Sequence, residues 1–389
     1  MQPIAPATDF SEVLARASEV ADKCRERATT LDVAQADAFP AQEFEWLAQA
    51  GLLTAPLPPS LGGADLGRTP DSQLALLELL KEMGRANLAV GRIYEGHINA
   101  LQLIQTYGSP AQVARYAVDV VEQAKIFGVW NTEAAGGVKL FPLADGCYRL
   151  EGAKTFASGA GFIERPLITA GLPDGGWQMC VVPMEKVQAK IDPNFWQPLG
   201  MQASVSYRVD FSNIELEPTA LIGTPDSYYR QPWFGSGAIR FCAVQLGGAE
   251  ALFDAARAFL QATKRTDDPY QKVRLAEIAI AIESGSLWLK GAAQRLAASP
   301  FAGVEGDNEK LLAYANMTRS AIEMICLQII TLTERSVGAR GLLRPWPFDR
   351  LIRDLTMYLR QPNPDGALAE VGRYVLAASD PVRKLWRDV

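Results

Sequence analysis

The chain has 389 residues, 48% hydrophobic and 21% charged, with a formal net charge of −6. That length is large for a single core, so two or three domains are expected, and the acidic balance lacks the clustered cations of a nucleic-acid binder. The five cysteines are scattered without a CxxC pair, which argues against both a disulfide frame and a zinc site.

No apolar run approaches the ~20 residues of a membrane span, and the first residues lack a basic segment followed by an apolar core. The expectation is a cytoplasmic protein with no membrane partner. Helical spacing opens the chain, with Asp9 or Ser11 able to cap a helix carrying Val13, Leu14, Ala17, Val20 and Ala21 on one face. A shorter segment follows Pro40 and stops at Gly51, and the Pro- and Gly-rich stretch 56–63 is irregular. Leu74 to Tyr107 reads as mainly helix, Gly108-Ser109-Pro110 as its end, and Ala111 to Ala124 as a further helix.

At Lys125 the pattern turns to short β-rich runs separated by turn residues: Ile126–Asn131, Cys147–Ala157, Pro166–Leu172, Trp177–Pro183 and Tyr207–Phe211. Helical spacing returns after Pro232, in Ala238–Ala262, Tyr270–Ala298, Asn308–Arg335 and Phe348–Tyr358. Asn363-Pro364-Asp365 then reads as a helix start, with Asn363 as cap and Asp365 favourable to the helix dipole. The predicted fold is mostly α with a central β domain. Its domains are residues 1–124 (helical), 125–232 (β) and 233–389 (a helical bundle).

Common chemical signatures are missing. There is no GxxxxGK loop, Gly235-Ser236-Gly237 lacks a third glycine, and a single histidine argues against His-based metal sites. His97 falls within the Ile98–Leu101–Ile104 periodicity, which suits a tethered structural histidine. Chemistry is therefore expected to belong to a bound cofactor. The stretch from Phe127 to Ser158 supplies hydroxyls, aromatics and exposed amides at strand ends, which suits a flat, polar-edged heterocycle.

Several spaced segments resemble motifs of the acyl-CoA dehydrogenase superfamily. Val129-Trp130-Asn131-Thr132-Glu133-Ala134-Ala135-Gly136-Gly137 is similar to its first signature, and Leu150 to Gly159 to its Gly-x-Lys-x-aromatic strand. Leu199-Gly200-Met201, Val209-Asp210-Phe211 and Leu221-Ile222-Gly223 resemble the closing β segment. Val337 to Gly341 followed by Arg350-Leu351-Ile352-Arg353-Asp354 resembles the glycine turn and Arg-Asp helix. The resemblance implies an N-terminal helical domain, a middle β-barrel, a C-terminal four-helix bundle, bound FAD, and a homodimer or homotetramer.

It also implies residue roles. Thr132 and Ser158 would hydrogen-bond the flavin ring, Phe156 would stack on it, and Trp130 and Asn131 would lie beside it. The amides of Gly137 and Val138 would meet the pyrophosphate or the substrate edge. Arg265 would neutralise FAD phosphates across a subunit interface, and Gly338 to Gly341 would touch the partner's adenine. Arg240 and Glu95 would face the substrate.

The catalytic glutamate of the family is absent from both places it is used. Pro362 stands at one, and Ile239, just before Arg240, stands at the other. Asp365 is the nearest replacement, although its place at a helix start accounts for it without catalysis. Glu95 is the second, as a buried carboxylate of raised pKa; the competing reading makes it solvent-facing. The main expectation is hydride transfer from the CH–CH group of an acyl thioester to flavin N5, with a separate electron acceptor.

The alternative is the flavin-dependent monooxygenase branch of the same fold, which takes reduced flavin from a reductase and needs no α-proton base. Phe156-Ala157-Ser158-Gly159-Ala160, Glu370-Val371-Gly372-Arg373-Tyr374 and the position of His97 resemble that branch; Gln361 stands where its C-terminal histidine would be. A non-catalytic relative is the third possibility, since fold alone does not decide function.

Overall fold

A computed structural model describes residues 10–31, 39–298, 308–361 and 363–386. The expectations for Asp9 and Pro362 lie outside them. The N-terminal helices are α1 (Ser11–Leu31), α2 (Ala41–Gln49), α3 (Ser72–Ala86), α4 (Leu88–Tyr107) and α5 (Pro110–Gln123). Leu74–Tyr107 is thus two helices rather than one. Asn87 causes the break: it is extended, and its Oδ1 accepts the Ala89 N–H at 2.9 Å and the Val90 N–H at 3.4 Å, capping α4. Ser109 and Gln112 form a reciprocal capping box at the start of α5.

The β region comprises β1 (Phe127–Trp130), β2 (Lys139–Pro142), β3 (Tyr148–Glu151), β4 (Ala153–Ala157), β5 (Arg165–Gly171), β6 (Trp177–Val181), β7 (Lys190–Asp192), β8 (Tyr207–Asp210), β9 (Ile214–Leu216) and β10 (Leu221–Ile222). They form a seven-stranded sheet ordered β10-β6-β5-β2-β3-β9, with β1 parallel to β5, and a separate three-stranded sheet ordered β4-β8-β7. The expected middle β domain is thus built from two sheets, and the chain passes between them at Gly152. Its φ is +108°, and a Cβ there would lie 2.0 Å from the Gly137 carbonyl. Only glycine allows that turn, and it passes the chain from β3 in one sheet to β4 in the other. The predicted Cys147–Ala157 strand is therefore divided.

The C-terminal helices are α6 (Trp233–Ala262), α7 (Pro269–Ala298), α8 (Asn308–Gly341), α9 (Phe348–Tyr358), α10 (Pro364–Ala377) and α11 (Val382–Leu385). Close crossing joins this bundle to the N-terminal helices. A Cβ on Gly84 of α3 would lie 2.1 Å from the Val244 carbonyl, and one on Gly247 of α6 would lie 2.0 Å from that of Lys81. Two segments matched to family motifs meet here: Asp354 Oδ1 accepts the Met201 N–H at 2.5 Å, and Arg353 donates to the Leu199 carbonyl at 2.7 Å. The Arg-Asp helix thus fastens the bundle to the β domain. The core runs without a break through all three layers.

Candidate active site

A cavity of about 820 Å³ opens where α4, the end of β1, α6, α8 and the α9–α10 connection converge. That is within the ~300–1,000 Å³ of small-molecule sites. Its β side is formed by Val129, Asn131, Thr132 and Phe156. Phe156 has φ of +51° and is 41% exposed, an unusual backbone for a bulky residue, and its ring meets Phe195 and Trp196 edge-on. Asn131 Oδ1 accepts the hydroxyls of Thr169 (2.5 Å) and Tyr229 (3.2 Å). That fixes the amide and leaves its NH₂ as a donor. Thr132 is exposed at the wall, while its carbonyl accepts the Thr155 N–H at 3.0 Å.

Trp130 and Ser158 stand behind this wall. The buried Trp130 indole donates to the Ser158 carbonyl at 2.9 Å, and the Ser158 hydroxyl lies 2.9 Å from that of Ser206, itself 2.8 Å from that of Ser204. Ser158 and Trp130 do not line the cavity, and the Ser158 hydroxyl, expected at the flavin ring, is engaged with Ser206. The Gly137 and Val138 amides, expected to meet the pyrophosphate or the substrate edge, have partners within the chain. Gly137 donates to the Ala134 carbonyl at 2.9 Å, and Val138 donates to Glu133 Oε2 at 2.6 Å. Both amides are spent inside the loop. The same Glu133 carboxylate binds Lys154, whose fully buried ammonium also donates to the Asn131 carbonyl at 3.2 Å and to Thr169 at 3.1 Å. Burial lowers the Lys154 pKa, and the Glu133 pairing opposes that shift.

The helical side carries charge. Arg92, Glu95, Asn99 and Leu103 fall at helical spacing on one face of α4. Glu95 is 1% exposed, so the solvent-facing reading is wrong, but it is not a lone carboxylate either. Arg240 Nε donates to its Oε1 at 2.9 Å and Arg92 to its Oε2 at 3.2 Å. Arg92 also lies over the Phe241 ring, 5.2 Å from its centroid. A second trio stands at Arg319, Glu323 and Arg360, the last pair at 2.7 Å. Arg319 further donates to the carbonyls of Leu359 (2.9 Å) and Gln361 (3.3 Å), holding the end of α9.

Other predicted residues fall elsewhere. Asp365 is exposed in the first turn of α10 and does not line the cavity, while Asn363 caps that helix through the Gly366 N–H at 3.4 Å. Arg265 donates to the Ser336 carbonyl at 3.2 Å and lies 3.8 Å from Asp268, near the kink at Gly338 (φ +59°). Gly341, at the end of the same helix, is buried. Arg265, Gly338 and Gly341 line no part of the cavity. His97 is tethered as expected: Nδ1 accepts the Phe127 N–H at 3.0 Å and Nε2 donates to the Leu53 carbonyl at 2.8 Å. Full burial pulls its pKa down to about 4. Sequence reasoning missed the Arg92–Glu95 pair, although its i,i+3 spacing on one helix was a readable signal. The pairing to Arg240 had none.

Fold and cavity together define a protein of the acyl-CoA dehydrogenase fold. The family's N-terminal domain, "Acyl-CoA dehydrogenase, N-terminal domain", matches residues 11–124, and its C-terminal domain matches residues 239–359. The chain belongs to the acyl-CoA dehydrogenase superfamily of flavin-dependent enzymes. It is 25% identical to a dibenzothiophene monooxygenase of Mycolicibacterium goodii, covering 88% of each chain. It is 24% identical to a probable acyl-CoA dehydrogenase, YngJ, of Bacillus subtilis, over 83% of this chain and 86% of that one. Among solved structures it is similar to TdsC from Paenibacillus sp. A11-2 with FMN and indole, with a TM-score of 0.86, 22% identity, and coverage of 97% of this chain and 100% of that one. Among the described residues no helix is long and apolar enough to cross a membrane, and no group of three or more His, Cys, Asp or Glu could hold a metal ion.

Proposed function

We propose that this chain is a flavin-dependent monooxygenase that works with flavin reduced by a separate reductase, rather than an acyl thioester dehydrogenase. The observation that carries this reading is the state of the cavity's carboxylates. Glu95 is held between Arg92 and Arg240, and the exposed Glu370 is paired with Arg373 at 2.7 Å. Neither is a free base, and removing an α-proton requires one within hydrogen-bond reach. The long similarity to dibenzothiophene monooxygenases supports the same reading.

The residues present fit a flavin ring. Phe156 offers a flat, exposed face, and the Asn131 NH₂ and Thr132 hydroxyl offer donors on the same wall. In this reading Trp130 and Ser158 brace that wall from behind. A bound reduced flavin supplies the two electrons that split dioxygen, one oxygen atom entering the substrate and the other leaving as water. The chain's share is to orient the substrate beside that ring and to exclude water with Leu103, Phe234 and Phe241.

The engaged Gly137 and Val138 amides leave the phosphates of the flavin, whether FMN or FAD, to other donors. Arg265 and Gly338 remain candidate contacts to a phosphate or adenine from a second subunit of a homo-oligomer. The test supplies the purified protein with FMN, NADH and a flavin reductase under ¹⁸O₂, with dibenzothiophene and benzenesulfinate as probes. The reading predicts ¹⁸O in a product of at least one probe. Unlabelled products together with direct flavin bleaching by an acyl thioester would overturn it.

A further inference from the structure

We infer that the substrate of this cavity carries an oxyanion group, and that Arg92 and Arg240 are the residues that grip it. This rests on the reading of the cavity as the substrate site of a flavin enzyme and goes beyond it, since the dibenzothiophene named for the relatives is uncharged.

One carboxylate, Glu95, serves two guanidiniums, so the Arg92–Glu95–Arg240 trio keeps one positive charge over. The side chains of Arg92 and Arg240 are only 14% and 13% exposed. An unmatched cation at such depth is costly unless something anionic completes it. The donors needed are present. Arg240 uses only Nε, and among the described residues its two terminal nitrogens have no protein partner. Arg92 uses only one terminal nitrogen, and its Nε is buried without a hydrogen-bond partner. Two guanidiniums with spare forks, fixed by one carboxylate and by the Phe241 ring, match the paired oxygens of a carboxylate, sulfinate or sulfonate.

The second trio has a different task. Both terminal nitrogens of Arg319 are spent, on Glu323 and on the carbonyls of Leu359 and Gln361, and only its Nε is left without a partner, so it fixes the α9–α10 connection. Arg360 is about half exposed at the mouth, where water screens it. The walls near the inner trio are apolar, with Leu103, Val129, Phe234 and Phe241. The substrate class is therefore a small organic anion with an apolar body.

Calorimetric titration of the full chain, with and without FMN, tests this with benzoate and benzenesulfinate against the neutral isosteres benzamide and methyl phenyl sulfoxide. The anions should bind roughly ten- to a hundredfold more tightly than their isosteres. Arg240→Gln should remove that preference, Arg240→Lys should keep part of it, and Arg360→Gln should leave it intact. Equal binding of anions and isosteres would overturn the inference. So would a preference lost in Arg360→Gln but kept in Arg240→Gln. Anions that bind only by displacing FMN would also overturn it, because the pair would then be a cofactor seat. Failure here is distinct from failure of the monooxygenase reading, since ¹⁸O entering dibenzothiophene would sustain the latter alone.

Discussion

On the β side of the cavity, charges are matched one to one: Glu133 answers Lys154, and its second oxygen takes the Val138 amide. On the helical side, one carboxylate answers two arginines. The first arrangement is closed. It holds the loop after β1 in place and leaves the neutral groups of Val129, Asn131, Thr132 and Phe156 on the wall. The second is left one anion short. A wall that presents a flat ring to a cofactor needs rigidity without competing charge, whereas a wall that selects a substrate can leave a charge to be completed.

The contrast is most sharply broken by Glu133→Gln, which strips a fully buried ammonium of its carboxylate and should cost about 3–5 kcal/mol in a denaturant melt. A loss under about 1 kcal/mol would show that the β side is not the closed pair described.

Next in size is acid sensitivity at the seam between α4 and β1. His97 is neutral in the fold, with its pKa lowered from 6.5 to about 4, so the unfolded chain binds the extra proton first. Its contribution is present above pH 6.5 and is lost as the pH falls toward 4, by about 3 kcal/mol in all. Stability curves at several pH values should show this slope, and His97→Gln should flatten it.

Arg240→Gln should cost about 1 kcal/mol or less, because Glu95 and Arg92 remain a matched pair. A melt that drops by several kcal/mol would mean the helical trio is itself closed. Asp365→Asn is the smallest expected change, within about 0.5 kcal/mol and without effect on turnover, since the residue is exposed outside the cavity.

How much of this was legible in the sequence follows the same division. The helix–sheet–helix order shows in periodicity, and the β wall shows because Asn131, Thr132 and Phe156 fall within one short stretch of the chain. Two elements were misread for local reasons. Asn87 interrupts an otherwise continuous helical pattern, and Gly152 divides an otherwise continuous strand, each through backbone geometry that hydrophobic spacing does not record. β2 was missed because Lys139–Pro142 is short and ends in proline. The engagement of the Gly137 and Val138 amides was not legible, because Glu133, inside the matched motif itself, folds back to take one of them. The helical wall was hardest to read. Glu95 and Arg240 are 145 residues apart, and only the packing of α4 against α6 brings them to 2.9 Å.

The most direct test of the central claim, that no free carboxylate serves the cavity as a base, is anaerobic titration of the flavin-loaded protein with saturated acyl thioesters of graded chain length. The account predicts an unchanged flavin spectrum with every thioester. Rapid bleaching by any of them would contradict it.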